Sequence, residues 1–378
     1  IPISMGYAQI AGLPAVYGLY GSVFPILIFA LFSTSPQFIF GVDAAPAALI
    51  GSALLSLHIE SGSEEAMAVV PVLTFFVALW LLAFYIMKAG KLVNYISAPV
   101  MGGFITGICT TIILMQVPKL MGGSAGTGEF FELAEHIIKT AKDINWQSVV
   151  LGLAALVLLL VCKKLIPKFP MAVLLMIAGA GMTYLLPIED WGVQTLASVD
   201  TGLPRWAVPD FSVISIREAV TISLSVAVVI MAETLLAENN FAQKNGYRIN
   251  DNQEILAFSM GNFLAAFTGC CPINGSVSRT AMGEQYQAKT QLTGIIAGLS
   301  MIVVLVCATG FIGYLPVPVL TAIVISALLG ATEFDLAARL FKVSRTECLI
   351  FFGAFFGVLL LGTINGVLIG ICLLYTYD

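Results

Sequence analysis

Nine stretches of this chain read as apolar for 17 residues or more: 67–87, 93–116, 147–166, 169–186, 214–237, 252–268, 291–312, 315–331 and 346–362. A helix needs about 20 such residues to cross the hydrocarbon of a bilayer. A further run, 15–32, is bounded by Pro14 and Pro36. Residues 1–11 read as the tail of another helix and 363–376 as a short final one. Charged residues make up 10% of the chain, against about 25% in a soluble domain. The folded surface therefore cannot be covered with water-compatible groups. A net charge of −5 leaves no basic footprint for nucleic acid. The chain is read as an all-α polytopic membrane protein, embedded in a lipid bilayer and multi-pass.

Two segments break the pattern. Residues 44–57 are too short to span and follow an irregular stretch, Ser33 to Asp43. Residues 276–288 are also short and follow Gly269-Cys270-Cys271-Pro272-Ile273-Asn274-Gly275. Each reads as an interrupted helix that starts inside the membrane. Paired interruptions in two halves of a chain mark the binding site of a transporter. They are the third and tenth of 14 transmembrane segments, seven apart, which predicts a 7+7 repeat. An odd number per half turns the second half upside down, so the repeat is inverted. Charge placement agrees with this map. With the 33–43 linker inside, eleven Lys and Arg fall in inside loops, and five fall outside (Lys119, Lys139, Lys142, Arg205 and Arg217). The long outside loops 117–146 and 187–213 are mostly acidic. Ile1-Pro2-Ile3 opens inside one apolar stretch and the chain closes just past another, so flanking parts are expected beyond this sequence.

Arg279 sits in the second broken segment, at mid-membrane depth. A charge there costs roughly 3 kcal/mol or more and is functional by default. Its surroundings suit an anion. The helix start leaves backbone N–H groups free, and the helix dipole adds positive charge. Ser276, Ser278 and Thr280 add hydroxyl donors. The bland reading is a permanent ion pair between Arg279 and Glu233 or Asp43. Glu233 lies in a long apolar helix, where an unpaired carboxylate neutralises rather than stays charged. It reads as a proton-coupling group, a cation site, or the partner that orients Arg279. Glu238, nearer the cytoplasmic end, reads as solvated. Asp43 directly precedes the third helix and reads as its N-cap; it also reads as a coupling group beside the anion. Tyr7 is a candidate because the first helix looks broken. The cysteines read as small apolar residues. With two histidines, His58 and His136, both beside polar segments, neither a metal site nor a cofactor is expected.

Pro2 through Pro25, PISMGYAQIAGLPAVYGLYGSVFP, resembles the signature of the sulfate permease (SulP) family of anion transporters. Three further stretches resemble it in order and spacing: Thr34-Ser35-Pro36-Gln37 through Gly51, Lys244-Asn245-Gly246-Tyr247 with Asn252-Gln253-Glu254, and Ser276-Val277-Ser278-Arg279-Thr280. The resemblance implies a core domain of 1–87 and 214–312 that carries substrate, and a gate domain of 88–213 and 313–378. It implies elevator-like movement of core against gate. It places the anion between the third and tenth helix ends, at the backbone of Asp43, Ala44 and Ala45 and at Ser276, Ser278 and Arg279. It matches Glu233 to a carboxylate of proton-coupled members. It also implies a homodimer in the cell's inner (plasma) membrane and a cytoplasmic STAS domain after 378. Two departures stand out. Many relatives carry Gln where this chain has Ile3, and animal members mostly lack an acid at position 43.

The reading is a secondary active transporter of a small anion (sulfate-like oxyanion, bicarbonate or C4-dicarboxylate), coupled to protons by symport. Sodium coupling, exchange, a passive anion channel and a nucleobase permease are the alternatives. A membrane enzyme is not expected, because no intramembrane nucleophile–base set or nucleotide loop is present.

Overall fold

The computed structural model describes residues 2–90, 98–126, 130–166, 169–196, 202–204, 206–307 and 309–361. Helix α1 (Pro2–Ile10) ends at Gly12, where φ is +78°, just before Pro14. The run 15–32 is not one straight helix. It forms α2 (Ala15–Tyr20) and α3 (Phe24–Phe32), broken just before Pro25, which has no N–H to donate to the preceding turn. After an extended linker come β1 (Phe40–Gly41), α4 (Ala44–Ser56) and α5 (Glu64–Ile86). Then follow α6 (Ala98–Leu120), α7 (Phe130–Thr140), α8 (Trp146–Leu165) and α9 (Met171–Leu185). The second half opens with α10 (Ile216–Asn245), α11 (Asp251–Phe267), β2 (Asn274–Gly275) and α12 (Val277–Gln285). It continues with α13 (Leu292–Cys307), a 3₁₀ turn (Thr309–Tyr314), α14 (Val317–Ala331), α15 (Phe334–Val343) and α16 (Arg345–Leu361).

Among the described residues, six apolar helical segments are long enough to cross a membrane: Ala15–Phe32, Glu64–Ile86, Pro99–Leu120, Trp146–Leu165, Ile216–Asn245 and Val317–Val343. Helix α8 alone exposes Val150, Leu153, Val157, Leu158, Leu160 and Val161. Such an outward apolar face is what lipid requires and what water would not tolerate. The final helix expected at 363–376 lies outside the described residues.

One helix boundary and two expected loops differ from the sequence reading. Helix α6 runs to Leu120, not to 116, and so takes Lys119 out of the outer loop into its last turn; the chain leaves the helix at Gly122, φ +88°. Two helices also stand where loops were expected. In α7, Phe130, Leu133 and Ile137 recur at helical spacing, while Glu135 and Lys139 pair at 2.7 Å on the polar side. In α15, Ala337 and Leu340 are buried against α16 and α6. Both are amphipathic, so they fail a search for uniformly apolar runs and show only in their 3.6-residue period.

Packing falls along two sets of helices. Helix α11 lies on α5 and α3, and α10 lies on α5. Helix α6 packs on α14 and α16, and α8 packs on α14. Helix α1 touches α2, α4 and α14. The contact between α1 and α2 depends on Gly18, where an added Cβ would lie 2.0 Å from the Ser4 carbonyl oxygen. Gly18→Ala is therefore expected to push the two helices apart and cost about 2 kcal/mol or more. A thermal melt in detergent would show this as a lowered midpoint; an unchanged midpoint would contradict the close approach.

Candidate functional site

The geometry of the site begins with a problem of broken helices. Inside a bilayer, every exposed backbone N–H and C=O lacks water and must find a protein partner. The two interrupted segments solve this together. Phe40 pairs with Gly275 and Gly41 with Asn274 in an antiparallel bridge between β1 and β2. The pairing extends on both sides of the bridge. Ser276 N donates to Ile39 O at 2.8 Å, and Ile39 N donates to Thr280 Oγ1 at 3.0 Å. Gly275 has to be glycine here. A Cβ would lie 2.3 Å from Phe38 and 2.5 Å from Thr234. Phe40 is held in turn by near-parallel stacking with Phe29 (centroids 4.7 Å apart) and Phe258 (5.3 Å), which ties β1 to α3 and α11.

The bridge brings the starts of α4 and α12 to one place. Helix geometry leaves the first N–H groups of each without an internal partner. In α4, Asp43 caps Ala44 N at 2.7 Å, Pro46 has no N–H, and Ala47 N already bonds Asp43 O. Ala45 is the donor left over. In α12 the first intrahelical bond is Thr280 N to Ser276 O, and Ser276 makes no side-chain cap. The N–H groups of Val277, Ser278 and Arg279 are therefore free of the helix ladder. Two positive helix ends thus share one small region.

Arg279 crosses between them. Its Nη2 donates to Val42 O at 2.5 Å and lies 3.5 Å from Asp43 Oδ2. Its Nε is buried without a hydrogen-bond partner. Gly41 gives the guanidinium room, since a Cβ there would stand 3.1 Å from Nη1. Tyr7 of α1 is buried and within electrostatic range of Asp43, Arg279 and Glu233. Ala44, Ala45 and Ser276 are buried. Ser278 falls within α12, but its side chain lies outside the described residues. Of the two ion-pair partners considered from the sequence, Asp43 is the one beside Arg279. Glu233 turns elsewhere: Asn274 Nδ2 donates to its Oε2 at 2.6 Å.

Several residues of the site escaped the sequence reading. Asn274 links Glu233 to the bridge, because its Oδ1 accepts from Thr234 Oγ1, which itself accepts from Gly275 N. No pattern in the sequence marks Asn274 beyond its place in a helix break. Glu254 holds the linker that leads into β1. It accepts from Ser33 Oγ at 2.8 Å, from Thr34 N and Oγ1, and from Ser35 N at 3.1 Å. Gln291 reinforces the linker by donating to Ser35 O and Phe38 O. The Thr34-Ser35 and Asn252-Gln253-Glu254 motifs are therefore two halves of one contact. Glu238 corrects an expectation. It is fully buried beside Glu254, not solvated, because α11 folds back over the end of α10.

The comparisons with known proteins bear on what such a site serves. Residues 1–354 match the sequence model of the sulfate permease family. The chain belongs to that family. Members of that family are transporters, not enzymes, and this chain is a multi-pass membrane protein. It is similar to the "Probable sulfate transporter MT1781" of Mycobacterium tuberculosis, with 29% identity over 373 residues. That alignment takes in 99% of this chain and 66% of the relative, so the chain spans just under two thirds of it. Its fold is similar to the solved structure of SLC26A9, with a TM-score of 0.90 and 22% identity over 100% of this chain and 63% of that one. It is also similar to the transmembrane domain of a cyanobacterium bicarbonate transporter, BicA. There the TM-score is 0.84 at 19% identity, covering 97% of this chain and 93% of the other.

Proposed function

We propose that this protein is a secondary active transporter of a small anion, bound between the starts of α4 and α12. The observation that carries the proposal is the β1–β2 bridge, which sets two helix N-termini and Arg279 together among membrane-spanning helices. In this reading the anion accepts from Ala45 N–H, from the free N–H groups of α12 and from Arg279, with Ser276, Ser278 and Tyr7 around it. Ala44 and Asp43 form the rim. The family's name and the printed names of its relatives make sulfate and bicarbonate the first anions to try; a C4-dicarboxylate is the third.

Proton coupling follows from charge balance. An incoming anion and the Asp43 carboxylate compete for the same guanidinium. At about 4 Å and an effective dielectric near 20, two like charges repel by about 4 kcal/mol. A proton delivered to Asp43, or to Glu233 on the far side of Asn274, removes a negative charge as the anion arrives. Loading is then symport. Fourteen segments in a 7+7 inverted repeat would carry this out as an elevator, with 1–87 and 214–312 as the moving core and 88–213 and 313–378 as the gate. The packing of α11 and α10 on α5, and separately of α6 and α8 on α14, supports that division. Residence in the cell's inner membrane and a homodimer complete the reading.

Uptake of radiolabelled sulfate, bicarbonate and fumarate into proteoliposomes tests it, with and without an inward proton gradient. Accumulation above equilibrium that needs the gradient is the expected result for at least one anion. Flux that only equilibrates, whatever the pH difference, would replace the transporter with a passive pathway.

A further inference from the structure

A hollow of about 680 Å³ opens beside, and distinct from, the helix starts just described. It lies between α1 and α4 on one side and the ends of α6 and α14 on the other. Gly51, Leu54 and Leu55 line it, six to ten residues beyond Ala45, roughly 9–15 Å along α4 at the rise of a helix. Its size falls in the roughly 300–1,000 Å³ range of small-molecule sites. Its charged lining residues are Lys119 and Glu60, and Glu60 is exposed to solvent. Lys119 has no carboxylate at salt-bridge distance among the described residues. Its Nζ makes a long hydrogen bond, 3.4 Å, to Gln9 Oε1. An ammonium has three donors, so this contact leaves it far from saturated. Buried Gln116 lies one turn before it on α6 and lines the same hollow.

A cation at the end of a membrane helix without a counter-ion is costly. Its place in the last turn of α6 recovers part of that cost through the helix dipole. The dipole alone does not explain why two glutamines converge on the same hollow. We propose that the hollow is a second, outer anion subsite, in which Lys119 with the amides of Gln9 and Gln116 holds a small oxyanion on its path to the α4–α12 site. The proposal rests on the transporter reading above. It adds a stop on the outer side, at the seam between α1 and α4 and the helices that face them.

The test uses the full chain purified in non-ionic detergent, with labelled inorganic sulfate as the probe. Arg279→Ala is expected to leave a weak residual sulfate site, and adding Lys119→Gln is expected to remove it. In proteoliposomes, Lys119→Gln is expected to raise KM for external sulfate roughly tenfold, the cost of losing a charge-assisted hydrogen bond. KM measured from the inside should stay the same, and Lys119→Arg should restore the external value. A lowered melting midpoint with external KM unchanged would make Lys119 a helix-end charge only and overturn the subsite. So would complete loss of sulfate binding in Arg279→Ala. An effect seen only in anionic phospholipid, and absent in detergent, would hand the lysine to a lipid phosphate and overturn it too. If Arg279→Ala instead binds sulfate like the wild type, the α4–α12 placement fails, and the external KM of Lys119→Gln still decides this proposal by itself.

Discussion

Arg279→Ala is expected to lower anion uptake at low substrate concentration by roughly 100-fold, the equivalent of about 2.7 kcal/mol of lost binding. The size follows from the bonds at stake. Hydrogen bonds to a charged group contribute about 1.5–3 kcal/mol each, and a guanidinium can give an oxyanion two of them. The substitution also strips Asp43 of the cation 3.5 Å away. Asp43 then presents an uncompensated negative charge to the incoming anion. Arg279→Lys should recover part of the loss, because it restores charge without the two-pronged geometry. Initial rates in proteoliposomes, with protein folding checked by a thermal melt, give the measurement. Uptake within about threefold of wild type, a difference of under 1 kcal/mol, would mean that Arg279 is a structural tie between Val42 and α12 and that the anion binds elsewhere.

Glu233→Gln is expected to separate flux from accumulation. The glutamine keeps the shape of the side chain and can still accept from Asn274, so the bridge beside it stays intact. It cannot take up or release a proton. Downhill exchange of labelled anion should persist, while proton-driven accumulation falls to the equilibrium level. Asp43→Asn gives the control. It keeps an oxygen to cap Ala44 N but removes the charge beside Arg279. If Glu233→Gln accumulates anion as the wild type does and Asp43→Asn does not, Asp43 is the coupling group. If both accumulate normally, proton coupling through these carboxylates is wrong.

The membrane class was legible because hydrophobic length is a local property. Each run of about 20 apolar residues reports its own solvent, so α5, α8, α10 and α14 could be located without knowing their neighbours. The breaks at 33–43 and 269–275 were equally legible, since proline, glycine and polar residues cannot continue an apolar helix. The motif resemblance named the family that residues 1–354 match. Arg279 and Glu233 stood out because a charge inside an apolar run is costly anywhere. The cap at Asp43 could be read from one residue and its position before a helix.

Other features depend on residues far apart in the chain. Nothing near Phe40 says that it pairs with Gly275, 235 positions later, or that Glu254 clamps Ser33 and Thr34. Those contacts form because backbone groups in a bilayer have no water to fall back on, and the nearest unpaired groups belong to the other half. The same applies to the choice between Asp43 and Glu233 beside Arg279, which depends on where Asn274 already holds the glutamate. Lys119 moved from loop to helix end because Gly122, not hydrophobicity, stops α6. Hydrophobicity along one segment could thus be read from the sequence, while the partners of each polar group were decided only when the two broken helices met.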